Sequence, residues 1–322
     1  MHSDSPLYEA WLDPPVPIFL QFYLFSLLNA DGIKQGEKPV VKQLGPYTYE
    51  EKREKLNVFA DPAKGEIYYT EQKLYQFRAD LSNGTESDVL VQFNIAYITV
   101  ANMLKNQSAI VDFIVETLES ALREKVFVKL TVAELIWGYE DRLLAALANF
   151  GIRPFGNATK LGLFVGQNGS RAGEYVIDDG ARSLAHLGKI MAFQNHSQLT
   201  WWASGPANQI NGTDGTLFSP GLRLADRIYI FSPDICRSIH LEATETVRFL
   251  GLQTLRFLPP TSLFESPLLN PDNKGFCPTY PNCLKSGVLN LGPCLQGAPV
   301  IVSQPHFYQV AYFDLVTLGC IR

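Results

Sequence analysis

The chain has 322 residues, 46% of them hydrophobic, and a formal net charge of −5. That length suffices for one large domain or two smaller ones, so no disulfide is needed merely to hold a core together. The acidic balance, with no block of clustered Lys and Arg, excludes a nucleic-acid partner, because phosphate binding depends on such blocks.

The first residues, Met1-His2-Ser3-Asp4-Ser5, lack the basic and apolar regions of a signal peptide. The most apolar early stretch, Val16 to Leu28, is interrupted by Gln21 and Ser26 and falls short of the ~20 residues a spanning helix requires. No membrane anchor is therefore expected in the chain as given. Pro17 to Phe25 is dense in β-formers, and Pro39 to Leu44 alternates before a turn expected at Gly45-Pro46. The mixed run Lys52-Arg53-Glu54-Lys55 reads as a solvated turn or strand end. Further short strands are expected at Glu66 to Tyr69, Leu90 to Phe93, Arg227 to Phe231, Val247 to Phe257 and Ala298 to Ser303. Their spacing predicts a mostly antiparallel β fold.

A helical insert lies between these strands. Met103, Leu104, Ile110, Val111, Ile114, Val115, Leu118, Ala121 and Leu122 recur at helical spacing and fall within an arc of about 140° on a helical wheel, the stripe a helix buries. A second helix is expected to start at Thr131, where the Thr hydroxyl and the Glu134 carboxylate form a capping box, and to run to Asn149 before Gly151 and Pro154. The stretch from Asn157 to Pro220 is rich in Gly and Ser and reads as exposed, loop-rich decoration. Within it, Asp178-Asp179-Gly180 is a turn signal.

Two features set the compartment. Six Asn-x-Ser/Thr sequons, at Asn83, Asn106, Asn157, Asn168, Asn195 and Asn211, place the chain in the secretory pathway as a candidate glycoprotein. The cysteines are Cys236, Cys277, Cys283, Cys294 and Cys320, and any four of them permit three pairings that spacing alone does not resolve. Cys277 and Cys283 bracket Pro-Thr-Tyr-Pro-Asn, where a small closed loop is geometrically cheap, which leaves Cys236 with Cys294. Zinc fits poorly, since Cys-x5-Cys has no neighbouring His. Cys320 has no evident partner.

Phe22-Tyr23, Gly45-Pro46-Tyr47-Thr48-Tyr49, Glu134-Leu135-Ile136-Trp137-Gly138-Tyr139, Trp201-Trp202, Ile210-Asn211-Gly212-Thr213-Asp214, Cys236-Arg237-Ser238, Gly275-Phe276-Cys277, Gly287-Val288-Leu289-Asn290, Gly297-Ala298-Pro299 and Pro305-His306-Phe307 occur in that order. Over residues 8 to 309 this set resembles the class B scavenger receptors, and the cysteine cluster and Trp201-Trp202 resemble their lysosomal branch. Ser232 to Cys236 is closer to the fatty-acid receptors. The resemblance implies an α+β ectodomain, an irregular and mostly antiparallel β-barrel with an apical helical bundle at 98–150, held between two membrane helices. It implies the bridges Cys236–Cys294 and Cys277–Cys283, and a site in the lysosomal or endosomal membrane, lumenal side, or in the plasma membrane. Residues 310–322 depart from the family pattern as a divergent tail. The C-terminal strands of the family barrel have no counterpart, so the chain alone is expected to fold poorly.

No catalytic signature appears: there is no G-x-S-x-G, no H-E-x-x-H and no phosphate loop. The five histidines stand singly. The expected role is therefore a receptor rather than an enzyme, with no cofactor and no metal. By the resemblance its partner is a lysosomal hydrolase such as β-glucocerebrosidase, docking on the first apical helix through Ile110, Phe113, Ile114 and Glu116. Phe113 stands on the polar face, away from the apolar stripe, as an exposed aromatic anchor would. The lysosomal branch carries a histidine on this helix, tied to acid release of cargo; none lies between residues 3 and 185 here. A glycan at Asn106 would compete with docking. The alternative role implied is a lipid or lipoprotein receptor that passes fatty acid or sterol through a tunnel.

Overall fold

The computed structural model describes residues 5–104, 117, 120, 125–153, 159–295 and 300–310. Their strands are β1 (Ile18–Leu27), β2 (Val41–Asp61), β3 (Glu66–Phe77), β4 (Val89–Phe93), β5 (Phe127–Thr131), β6 (Tyr139–Glu140) and β7 (Lys160–Leu161). They continue as β8 (Arg171–Asp178), β9 (Ile190–Phe193), β10 (Arg227–Ser232), β11 (Arg237–Phe249), β12 (Leu252–Leu258), β13 (Val288–Asn290) and β14 (Ile301–Ser303). The chain forms two compact units, Val16–Lys52 with Lys73–Ser170, and Met1–Pro15 with Arg53–Gln72 and Arg171–Arg322. The ladders β1·β2, β3·β8, β8·β9, β4·β5, β6·β7, β10·β11, β11·β12 and β13·β14 are antiparallel, and with the helices they make a mixed α+β fold. No barrel closes among the described residues: in the sheet that contains β8, the strand order ends at β9.

In the unit that contains β1, this strand pairs with the first part of β2 from Ile18↔Glu51 to Leu27↔Val41. The turn expected at Gly45-Pro46 is absent. The strand runs straight through those two residues, and the ladder accommodates them as a shift in register opposite Phe22 and Leu24. The core here is aromatic. Tyr47 and Tyr49 are each 1% exposed, and Phe22, Phe77 and Trp137 meet the Tyr49 ring edge-on at 5.1–5.7 Å. Buried phenols need hydrogen-bond partners. Tyr47 donates to Asp88 at 3.1 Å and Tyr49 to Glu86 at 2.9 Å.

The helix expected over 131–149 is two helices, Val132–Trp137 and Arg142–Asn149. Thr131 and Glu134 form the capping box, but the chain leaves the helix at Gly138 and pairs β6 with β7. Asp141 restarts it by accepting from the Leu144 amide at 2.9 Å. Leu143, Leu144 and Leu147 then pack with Ala96 and Val100 of the helix Ile95–Leu104. Each buried leucine contributes roughly 1.5–3 kcal/mol. Of the remainder of the first predicted helix only residues 117 and 120 are described, both helical.

Asp141 is itself buried, and burial pushes its carboxyl above the usual 3.8, offset in part by the Leu144 and Leu143 amides. The native state therefore binds this proton more tightly than the unfolded chain does. The stability it contributes is complete below the unfolded value and is lost as pH rises through the native pKa. Asp141→Asn, which keeps an acceptor, is expected to flatten that dependence, whereas Asp141→Ala removes the cap at a cost of about 1 kcal/mol. Urea unfolding of the three proteins across the acid range checks both; an unchanged pH slope in Asp141→Asn contradicts the assignment.

In the other unit β3 pairs with β8 from Glu66↔Asp178 to Gln72↔Arg171, and β8 with β9. Both β8 and β9 fall in the stretch expected to be loop-rich decoration. That expectation is corrected: Tyr175, Ile177, Ile190 and Phe193 are core residues with Trp11, Ile67 and Tyr69. The turn at Asp178-Asp179-Gly180 stands as read, with the two carboxylates accepting from the Gly180 and Ala181 amides, and residues 194–220 are loop as expected, with only isolated bridges and one short 3-10 helix. The charged run at 52–55 is likewise no turn. It lies within β2, and the strand's alternation turns Lys55 inward until it is 6% exposed. Its Nζ donates to the Trp11 carbonyl at 2.6 Å and sits 4.9 Å from the Trp11 ring centroid. Burial lowers its pKa despite the nearby Asp214 and Glu71.

The strand expected at Val247 to Phe257 is instead a hairpin. β11 and β12 meet at Phe249↔Leu252, and the two linking residues, Leu250 and Gly251, both have positive φ, +49° and +83°. That is the backbone a two-residue hairpin turn demands. Leucine in the first position conceals it.

Candidate functional site

The cysteine-bearing region is built around β13 and the start of β11. Cys236 ends the short helical turn Pro233–Ile235, then the chain enters β11 at Arg237. Cys236 is bonded to Cys294, 58 residues on, with Cα atoms 6.2 Å apart. Cys277 is bonded to Cys283 across 5.6 Å. Cys320 lies outside the described residues. Around the first bridge Trp202, Ala207, Leu289 and Leu291 close a core with Cys236, and the Trp202 indole donates to the Cys236 carbonyl at 2.6 Å. The Trp202 ring meets Phe276 edge-on at 5.0 Å. The Trp201-Trp202 and Gly-Phe-Cys runs, far apart in sequence, are thus one packing unit.

Beside the second bridge lies a cavity of about 110 Å³, bordered by Arg237, Phe264, Asn273, Phe276, Asn282 and Lys285. The Asn273 amide is already committed, donating to the Ser262 and Glu265 carbonyls at 2.9 and 2.8 Å. Arg237 is 5% exposed and burial alone depresses its pKa to about 10. No group of three or more His, Cys, Asp or Glu side chains placed to hold a metal occurs among the described residues. The arrangement offers donors and a positive charge to a polar group.

The sequon asparagines Asn83, Asn168, Asn195 and Asn211 are exposed, while Asn106 and Asn157 lie outside the described residues. Asn168 is tied most firmly. Its carbonyl oxygen accepts from the Tyr75 amide at 3.0 Å and its Nδ2 donates to the Tyr75 carbonyl at 3.2 Å, so one side chain mimics a strand partner alongside β3. A glycan on Nδ2 leaves one of its two hydrogens to keep that contact. Asn195 Nδ2 reaches Glu174 at 3.4 Å, and the Asn211 amide donates to Ser238 Oγ at 2.8 Å. The four residues expected to hold a partner, Ile110, Phe113, Ile114 and Glu116, also lie outside the described residues.

Sequence reasoning passed over Arg237, although it stands in the quoted Cys-Arg-Ser run. A basic residue beside a half-cystine was the one available signal.

Comparison with known proteins gives a consistent result. The model of the CD36 family matches residues 1–313. Lysosome membrane protein 2 of Homo sapiens is 36% identical over 312 residues, which is 96% of this chain and 63% of that protein. The Mus musculus protein of the same name is 35% identical over the same shares. Scavenger receptor class B member 1 of Bos taurus is 33% identical over 305 residues, 95% of this chain and 59% of that protein. The chain therefore spans about three fifths of the length of the curated relatives it matches.

Proposed function

Since the chain belongs to the CD36 family of class B scavenger receptors, we propose that it is the lumenal part of a lysosomal sorting receptor, one that binds a lysosomal hydrolase such as β-glucocerebrosidase. The observation that carries this reading is the likeness to Lysosome membrane protein 2 along 96% of the chain. Two disulfides, which persist in oxidising compartments, support a lumenal setting. The six sequons would then carry glycans. The docking element is the apical insert at 98–150, with Phe113 and Ile110 as apolar anchors, Ile114 beside them and Glu116 as the charged neighbour.

Truncating a central anchor of an interface commonly costs about 2 kcal/mol or more. Phe113→Ala in the full-length receptor is accordingly expected to weaken capture of β-glucocerebrosidase at least about thirtyfold, and Ile110→Ala to act in the same direction. Pull-down with the purified hydrolase measures it. Capture that survives both substitutions together removes this helix as the docking element.

The second reading, a lipid or lipoprotein receptor, is favoured by the 33% identity to Scavenger receptor class B member 1. It predicts saturable binding of a fluorescent fatty acid or sterol that Phe113→Ala leaves unchanged. A folded protein that binds neither probe saturably rejects it.

A further inference from the structure

The fold buries the charge of Arg237, and among the described residues it gives it no counterion. Its guanidinium carbon lies 3.6 Å from the Phe276 ring centroid and 5.8 Å from that of Phe264. Nη1 donates to the Leu263 carbonyl at 3.3 Å and Nε to the Ser238 carbonyl at 3.4 Å. Every one of these partners is a ring or a neutral carbonyl, and among the described residues no carboxylate forms an ion pair with it. Burial depresses its pKa to about 10. An unpaired buried charge is strongly unfavourable, and proteins ordinarily neutralise or pair it. Among the described residues, two of the five N–H donors of its guanidinium are used.

The remaining requirement is met by where Arg237 sits. It borders the cavity beside the Cys277–Cys283 bridge, whose lining adds a second cation, Lys285, and a single carboxylate, Glu265. Phe276 and Phe264 form apolar walls that keep water from the guanidinium face. Such walls strengthen any charge-assisted bond made there. The bridge closes the loop from Pro278 to Asn282 over the same cavity, which fixes its rim.

We propose that this cavity is a binding site for a small oxyanion, a carboxylate or phosphate group that pairs with Arg237 and is steadied at the rim by Lys285. The group is free in solution or forms the end of a larger molecule; the chemistry recognised is the same. Glu265 is the internal competitor, and its swing toward Arg237 would leave the cavity self-filled.

The test uses the whole chain, disulfides intact, titrated with sodium acetate, inorganic phosphate or methyl phosphate at constant ionic strength made up with chloride. A saturable rise in thermal midpoint is expected with acetate and with phosphate. Equal affinity for methyl phosphate assigns the site to an end group, and exclusion of methyl phosphate assigns it to the free ion. Lys285→Ala, read against its own unliganded midpoint, is expected to weaken binding about two- to five-fold, as loss of a rim charge does. Arg237→Lys, which removes the planar fork, is expected to weaken it at least tenfold. Should that variant not fold, the Arg237 Nε–H resonance of the unsubstituted protein decides the matter by shifting, or failing to shift, along the same titration. Absence of a saturable rise beyond the chloride control, or a rise that Lys285→Ala leaves untouched, overturns the proposal.

Discussion

Replacing Cys236 and Cys294 together by serine is expected to lower the unfolding free energy by about 4 kcal/mol, against about 2 kcal/mol for the same change at Cys277 and Cys283. The difference follows from loop length. The first bridge spans 58 residues and the second 6, and the freedom a cross-link removes from the unfolded chain grows with the logarithm of the loop it closes. Cys236 is also 2% exposed in a core with Trp202, so the larger loss carries a packing contribution of the same sign. Urea unfolding followed by tryptophan fluorescence reads both, because the Trp202 indole is bonded to the Cys236 carbonyl. Equal losses at the two bridges would mean that unfolded-chain entropy is not what separates them.

Gly212→Ala is expected to be comparably damaging, at about 4 kcal/mol or more, the range reserved for named steric or polar faults. Gly212 has φ +85°, and a Cβ there would stand 1.9 Å from the Tyr229 carbonyl oxygen and 2.2 Å from its carbon. Those atoms belong to β10, and the neighbouring Thr213 amide donates to that same oxygen at 3.1 Å. Neither side has room to yield. Gly221→Ala is the control: its φ is +78° with nothing within 4 Å of the added carbon. It is expected to cost only the conformational penalty of about 1–2 kcal/mol. The substitution at 212 keeps the Asn-x-Thr sequon, so glycosylation does not confound the comparison. Similar midpoints for the two variants would contradict the close approach.

What could be read from the sequence was local. β1 followed from a run of β-formers, the capping box from Thr131 and Glu134 three apart, and the cysteine pairs from a proline-bent loop supported by the family likeness. What escaped depends on residues far apart in the chain. β8 is hidden among glycines and sequons because its strand character comes from pairing with β3, about a hundred residues upstream, and β9 in turn depends on β8. Lys55 looks solvated in the sequence because nothing near it announces Trp11, whose carbonyl accepts the hydrogen bond from its ammonium group. The Leu250-Gly251 turn lacks the Asn or Asp that usually marks its kind. The candidate site divided in the same way. Its cysteines were visible, whereas the isolation of Arg237 is a property of Leu263, Phe264 and Phe276 gathering around it. No window of sequence displays that.

The residues at 212 and 213 do more than fill a tight place. The Gly212 carbonyl accepts from the Ile190 amide of β9 at 2.8 Å, while the Thr213 carbonyl accepts from the Phe231 amide of β10 at 2.8 Å. Two consecutive peptide groups therefore rivet one strand to the other. Amide hydrogen exchange at Ile190 and Phe231 should then proceed through a shared opening, with matched protection and a matched response to denaturant, and neither strand should peel away while its counterpart stays shut.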